Sequence, residues 1–457
     1  MGDGGPAVAW LYALDVALAE ALLFAGVLFL IGGIDDLAVD IAWLRSRRPA
    51  ERLEDLPPSP VRRLAVLIPA WDESAVIGAM LTAATARYRH DDYRLYVGCY
   101  PNDRATIAVV AAVAEVDARV RLVIGGRDGP TTKADCLNSL WRALLRADAR
   151  DGAATEAVIL HDAEDVVDPH ELTLFDRLLT DHALVQLPVL PILDRGASLV
   201  NGTYADEFAE SHGRTLPVRA GIGAALPLAG VGCAIRRDAL DALAGEEGPF
   251  DPGSLTEDYE LGLRVAALGL PTCFARVTSP GGDLIATRAY FPDRVGPAVR
   301  QKARWMIGIA LAGWDRTGWG AGWRAPELWM RFRDRRAPLA VVALVLAYLA
   351  LLGSALSYVA HEYYGSAAAA LPLAVRLLLG ANFLLFSWRL AMRASATASV
   401  YGWVEGVRAV PRAVVANILS MLAARRALVQ YAGMLAGTPA RWDKTAHRFP
   451  RDLTGDG

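Results

Sequence analysis

Apolar positions along this 457-residue chain come in two textures. Between residues 60 and 180 they form short strand-like runs, each followed by a stretch with the three- and four-residue spacing of a helix. The pairs are Arg63–Ala70 then Glu73–Thr85, Tyr93–Tyr100 then Thr106–Val116, Val120–Ile124 then Lys133–Leu145, and Ala157–His161 then Pro169–Leu179. Strands alternating with helices of this length predict an α/β fold with a mostly parallel sheet covered on both faces. Ligands of such sheets bind beyond the carboxyl ends of the strands.

The second texture is long and nearly unbroken. Ala13–Ile34 approaches the ~20 residues needed to span a bilayer, and Ala337–Ala360 with Leu371–Met392 predicts a transmembrane hairpin turning at His361–Gly365. A cleaved signal peptide is the rival reading of the first run, but no Lys or Arg precedes it and no small-residue cleavage site follows. Asp15 and Glu20 interrupt it; an acid at the bilayer centre costs about 2.5–3.5 kcal/mol, so they belong near the outer interface or against another helix. Arg45, Arg47 and Arg48 follow the first run, Arg331, Arg333, Arg335 and Arg336 precede the second, and Arg389, Arg393 and Arg408 accompany the third. By the positive-inside rule residues 35–336 and the C-terminus are cytosolic. Val414–Met421, bounded by Arg408, Arg412, Arg425 and Arg426, is too short to cross and reads as interfacial. The expected organisation is an N-terminal transmembrane helix over 1–36, a cytosolic domain over 37–336, a transmembrane hairpin over 337–393, and interfacial helices with a cytosolic tail over 394–457.

Composition agrees with partial burial in lipid: 54% of residues are hydrophobic and the mean hydropathy is +0.26. The net charge of -3 conceals Arg-rich flanks and an acidic centre, and identifies no partner. Cys99, Cys136, Cys233 and Cys273 are widely spaced without CxxC pairs, which argues against a zinc site or disulfide framework.

Candidate chemistry gathers where the strands end. Asp72-Glu73, Asn102-Asp103 and Asp162-Ala-Glu164-Asp165 each follow a strand, bringing acids to one edge of the sheet. For Asp72, capping a helix and contacting a ligand are equally good explanations. No GxGxxG or GxxxxGK[ST] loop is present, so a nucleotide diphosphate needs another means of neutralisation, which Mg or Mn on Asp162 and Glu164 supplies. Asp258, in Thr256-Glu257-Asp258 at the head of a helical pattern, offers a general base with Glu257 beside it; a helix cap is the alternative. Asp103 is placed to accept hydrogen bonds from a base or ribose. Gln301, Arg304 and Trp305 offer donors for a diphosphate and a ring face for a sugar, against the alternative of an interfacial anchor. Gly230 and Gly232 permit close substrate approach or mark a strand bulge.

Together Asp162-Ala-Glu164, Thr256-Glu257-Asp258 and Gln301-Lys-Ala-Arg304-Trp305 resemble the DxD, TED and QxxRW motifs of the family 2 glycosyltransferases, inverting enzymes with a GT-A fold. Glu164 replaces the second Asp, leaving open whether Glu164 or Asp165 touches metal. Lys133 and Asn138 resemble the family's Lys-x-x-x-Leu-Asn segment lining the nucleotide site. Tyr100–Asp103, His161–Asp165, Ala286–Pro292 and Trp442–Pro450 look like the phage-adsorption protein B group of inner-membrane glycosyltransferases, linked to exopolysaccharide export. The resemblance implies a nucleotide-sugar donor, UDP first, a glycan or lipid-linked acceptor, a divalent metal, an inner-membrane location with the catalytic domain cytoplasmic, and no nucleic-acid partner. Larger members add a cyclic-dinucleotide-sensing domain; this chain is not expected to respond directly to cyclic di-GMP. Three spans are few for a self-contained polysaccharide channel, so an export partner or homo-oligomer is expected. The rival readings are a non-catalytic membrane receptor or scaffold, and a cytidylyltransferase, whose usual glycine-rich opening Pro69-Ala-Trp-Asp72 lacks.

Overall fold

The computed structural model describes residues 5–46, 49–194, 198–320, 323–437 and 447–450. Arg47, Arg48 and residues 442–446 of the tail motif lie outside them. The domain is built on a seven-stranded sheet in the order Val120–Ile124, Tyr93–Cys99, Leu64–Pro69, Ala157–Leu160, Cys233–Arg236, Leu184–Gln186, Thr272–Phe274. Cys233–Arg236 runs antiparallel to both its neighbours; the other pairings are parallel. The mixed α/β class with a mostly parallel sheet is the one expected.

Its central strands are continuous apolar runs because both faces are covered. Leu64, Val66 and Ile68 point toward Ile77, Met80, Leu81 and Phe175, while Ala65 and Leu67 point toward Leu137, Leu140, Trp141 and Leu261. The predicted βα units are present with shifted ends. The first helix begins at Ile77 rather than Glu73, because Asp72 adopts a left-handed φ of 53° that breaks the chain direction. The helix Lys133–Asp151 opens with a reciprocal Thr132–Asp135 capping box and ends at Gly152.

Among the described residues, four helices are long and apolar enough to cross a membrane: Gly5–Ser46, Ala337–Tyr364, Leu373–Tyr401 and Trp403–Leu435. Two expectations are corrected. The first helix does not stop at residue 36 but continues to Ser46, its acids paired with cations from elsewhere in the chain: Asp35 with Arg336 (2.7 Å), Asp36 with Arg333 (3.0 Å) and Asp40 with Arg214 (2.6 Å). Asp15 faces another helix, accepting from Ser357 and lying 3.0 Å from His361.

The segment after the hairpin is not a set of short interfacial helices. After a break at Gly402 it forms one helix of 33 residues that runs through Pro411. Arg412 does not end it because its guanidinium is buried against Asp206 (2.6 Å) and Glu405 (2.6 Å). One stripe of this helix, Ala416, Leu419, Ala423 and Ala427, is buried, with Leu419 packed beside Ala298, and Ala423 and Ala427 beside Ala303 and Ile307. Val414, Ile418, Leu422 and Val429 remain exposed. The last of these helices thus joins the α/β domain to the apolar bundle.

Candidate active site

The acidic turn after Ala157–Leu160 is held from beneath. His161, fully buried, places Nδ1 2.8 Å from Asp165 and Nε2 2.7 Å from Glu171, which also accepts from the Tyr88 hydroxyl at 2.7 Å. Burial disfavours the imidazolium, but the carboxylates of Glu171 and Asp165 outweigh it and push the His161 pKa up to about 10. Asp165 also accepts from the Asp162 backbone at 2.9 Å. Asp165 is therefore committed to shaping the turn, whereas Glu164 carries a buried oxygen, Oε2, without a hydrogen bond.

Asp162 meets Lys133 from the start of the neighbouring helix, Nζ to Oδ1 2.6 Å. Burial lowers the Lys133 pKa, and Asp162, Glu257 and Asp258 together more than reverse this, so the ammonium stays charged. Lys133 also approaches the Gly230 carbonyl at 3.4 Å. At Gly230, φ 80°, an added Cβ would lie 2.3 Å from Asp258 Oδ2. At Gly232 it would lie 2.2 Å from Thr287 Oγ1. These glycines admit side chains of the protein itself.

Glu257 and Asp258 open the helix Glu257–Ala267, whose flanking Thr256 makes no capping bond through its side chain. Asp258 Oδ1 accepts from the Tyr259 N–H at 2.7 Å. Desolvation raises the Asp258 pKa against the lowering pull of Lys133 and Arg304. Desolvation, with Asp258 alongside, pushes Glu257 up to about 7.

The third cluster lies on the helix Val295–Met306. Lys302 turns to Glu207 and sits 4.6 Å from the Tyr204 ring centre, while Trp305 packs edge-on to Tyr204 at 6.1 Å between ring centres. Gln301 Oε1 is buried without a hydrogen bond. Gln301, Arg304 and Trp305 line the same cavity of about 820 Å³ as Lys133, Asp162, Glu164, Glu257 and Asp258, and its wall continues to Asp334 and to Met434 of the C-terminal helix.

Three expected donor-site residues are not in the lining of this cavity. Asp103 caps the helix Arg104–Val116 through Thr106 N–H (3.2 Å) and accepts from the Asp72 N–H (2.5 Å). Neither Asp72 nor Asp103 lines the large cavity. Asn138 is buried with its amide closed on the Phe250 backbone, donating at 2.7 Å and accepting at 3.1 Å. Its amide clamps that loop, and the residue lines a second, smaller pocket beside Gly98–Tyr100. Sequence reading missed Glu73 and His447 as partners: His447 Nδ1 lies 2.9 Å from Glu73 and 3.3 Å from Glu164. The tail motif containing His447 was the only signal. A divalent cation fits this donor set, since one ligand atom from each of Glu73, Glu164 and His447 lies within 4.8 Å of the others and Glu164 Oε2 is buried without a hydrogen bond.

Residues 60–308, more than half of the chain, match the family model described as glycosyltransferase like family 2. The chain belongs to this family. This transferase is 34% identical over 483 aligned residues to bacteriophage adsorption protein B of Escherichia coli K12, and equally to bacteriophage N4 adsorption protein B of Escherichia coli O157:H7. The alignments cover 98% of the transferase and 64% of the length of these relatives. Among solved structures, a mannosyltransferase from Pyrobaculum calidifontis in complex with GDP-Man and Mn2+ gives a TM-score of 0.48 at 17% identity, covering 89% of the transferase and 99% of that chain. Glucosyl-3-phosphoglycerate synthase from Mycobacterium tuberculosis gives 0.34 at 19% identity, covering 57% and 85%.

Proposed function

We propose that this membrane glycosyltransferase moves a sugar, with inversion, from a UDP-sugar to a glycan or lipid-linked acceptor in exopolysaccharide synthesis. The observation that carries this reading is the meeting of Asp258, the Lys133–Asp162 pair and Arg304 in one cavity whose wall includes Met434 of an apolar helix. An acceptor arriving along the bundle enters beside Asp258.

In the proposed reaction Asp258 takes the proton of the acceptor hydroxyl as that oxygen attacks the anomeric carbon, and the bond to the diphosphate breaks on the opposite side. Glu257 stands beside it at the head of the same helix. Lys133, Arg304 and Gln301 donate to the departing diphosphate oxygens, where charge accumulates. Trp305, fixed by its aromatic neighbours, offers its remaining face to a sugar ring. Bound at Asp162 and Glu164, Mg or Mn supplies Lewis-acid stabilisation of the leaving group.

The proposed setting is the inner membrane with the catalytic domain in the cytoplasm, and an export partner or second copy carries the product outward. The relatives' name, adsorption protein B, fits a glycan displayed to phage. Membranes bearing the protein, incubated with labelled UDP- and GDP-sugars with and without Mn2+, test the reading. Label from one UDP-sugar entering the lipid or polymer fraction, and lost on chelation, is the expected result; incorporation from no donor overturns it.

A further inference from the structure

The helix that opens at Leu199 and ends at Gly221 is not α-helical throughout: Ser211–Thr215 form a wide π turn. Pro217 is the local cause. It has no N–H to give to the carbonyl four residues before it, on Gly213, or five before it, on His212. Those two carbonyls take side-chain donors instead, His212 from Arg276 at 3.0 Å and Gly213 from the Trp43 ring at 3.1 Å. Single π turns inside α-helices recur at functional sites, and here Ser211, His212 and Thr215 all line the large cavity.

His212 is 5% exposed, and its two ring nitrogens have different fates. Nδ1 accepts from the Val189 N–H at 3.1 Å, which leaves the proton of the neutral ring on Nε2. That Nε2–H meets no acceptor among the described residues. A second proton would set Nδ1 against a backbone donor, and burial with the Arg276 guanidinium nearby holds the pKa down to about 3. Phe208 stacks on the ring at 5.0 Å between centres and lies 6.3 Å from the Trp305 ring. The unused donor therefore belongs to the stretch of wall that also carries Trp305.

We propose that His212 Nε2 donates a hydrogen bond to an oxygen of the acceptor sugar, so that this histidine selects and orients the acceptor. The inference rests on the reading that the cavity takes a sugar beside Trp305 and Asp258. A buried donor without a partner is costly, and a sugar oxygen removes that cost. A neutral N–H pairs with a hydroxyl, ring or carbonyl oxygen but not with an ammonium, so a glycan presenting oxygen at this point is preferred over one presenting a free amine. A site built to bond an oxygen strongly rejects the analogue that lacks it.

The test measures label transferred from the UDP-sugar that membranes bearing the full chain use, across donor concentrations and across the pH range in which a free histidine titrates. His212→Gln carries an N–H to the place of Nε2. His212→Asn puts an oxygen in the place of Nδ1 and keeps the bond from Val189, and His212→Phe keeps neither. His212→Gln is expected to retain most of the maximal rate, while His212→Asn and His212→Phe lose about tenfold. The donor KM stays within about twofold of wild type in all three. The acid limb of the rate is the same in His212→Gln as in wild type, because the ring is neutral throughout. Should His212→Phe fail to accumulate, the opposed expectations for His212→Gln and His212→Asn still decide. A His212→Asn protein as active as wild type makes holding Val189 the whole role and overturns the proposal, as does a His212→Gln protein as impaired as His212→Asn. A raised donor KM at unchanged maximal rate, or an acid limb that disappears in His212→Gln, also overturns it. Incorporation from no donor in wild-type membranes overturns the proposed function itself, and this inference with it.

Discussion

The large cavity and the junction between the domain and the apolar bundle are both rich in charge, yet they treat it in opposite ways. At the junction acids find cations within the chain: Asp35 and Asp36 with Arg333 and Arg336, Asp40 with Arg214, Glu210 with Arg393, and Asp206 with Arg412. In the cavity, Arg304 makes no hydrogen bond or ion pair among the described residues, and Gln301, Thr256 and Glu164 each keep a buried oxygen without a hydrogen bond. Internal pairing fixes one element against another. Unfilled polar groups in a concave wall reserve their bonding for a guest.

Altering the cavity gives the largest effect. Asp258→Asn keeps the shape beside Gly230 but removes the proton acceptor, and transfer falls by about 10²–10⁴-fold. Assays of transfer alongside donor binding separate the two contributions, with donor affinity expected to stay near that of the wild type. Because desolvation raises the Asp258 pKa, its base form is lost at a higher pH than that of an exposed aspartate. The transfer rate of the wild type therefore declines early on acidification, and a rate flat with pH down to the ordinary carboxylate range contradicts the base assignment.

At the junction the same kind of change strikes folding instead. Arg412→Ala strands Asp206, whose side chain is fully buried, and costs about 3–5 kcal/mol, seen as a lowered unfolding temperature in detergent. The pair Asp206→Leu with Arg412→Met regains most of that loss, because the penalty lies in an unpaired charge. The arrangement is tight: an added Cβ at Gly202 would lie 2.6 Å from the Arg412 side chain. The smallest effect is at a third place. Arg52 and Glu54 form an ion pair with side chains 58% and 50% exposed, so Arg52→Ala changes stability by about 0–1 kcal/mol. A larger change there would blur the distinction between buried and exposed pairing.

Much of the catalytic domain was legible because its first four strands are long apolar runs followed by amphipathic helices. The three-residue strands Leu184–Gln186, Val189–Pro191, Thr272–Phe274 and Thr287–Ala289 were not, since so short a segment carries little periodicity. Charged residues misled the reading of the apolar bundle. Asp35 and Asp36 looked like the end of a helix, and Arg408, Arg412 and the later arginines looked like boundaries of short pieces, because their partners come from distant segments. In the site, acids following strands could be foreseen from topology, and Lys133 from its motif. The closure of the Asn138 amide on Phe250 was not legible, because a motif fixes neighbours in sequence, not the direction of an amide. The pairing of Glu73 with His447, 374 positions apart, had no local trace.

The N-terminal helix has a mechanical consequence. Its 42 residues extend about 63 Å at 1.5 Å per residue, roughly twice the thickness of a hydrocarbon core. The far end of this helix is pinned to the domain through Asp40 and through the Trp43 side chain, which donates to Gly213 at 3.1 Å. On the proposed function, the standoff between lipid and cavity is set by the length of this helix, and an acceptor has to be matched to that height.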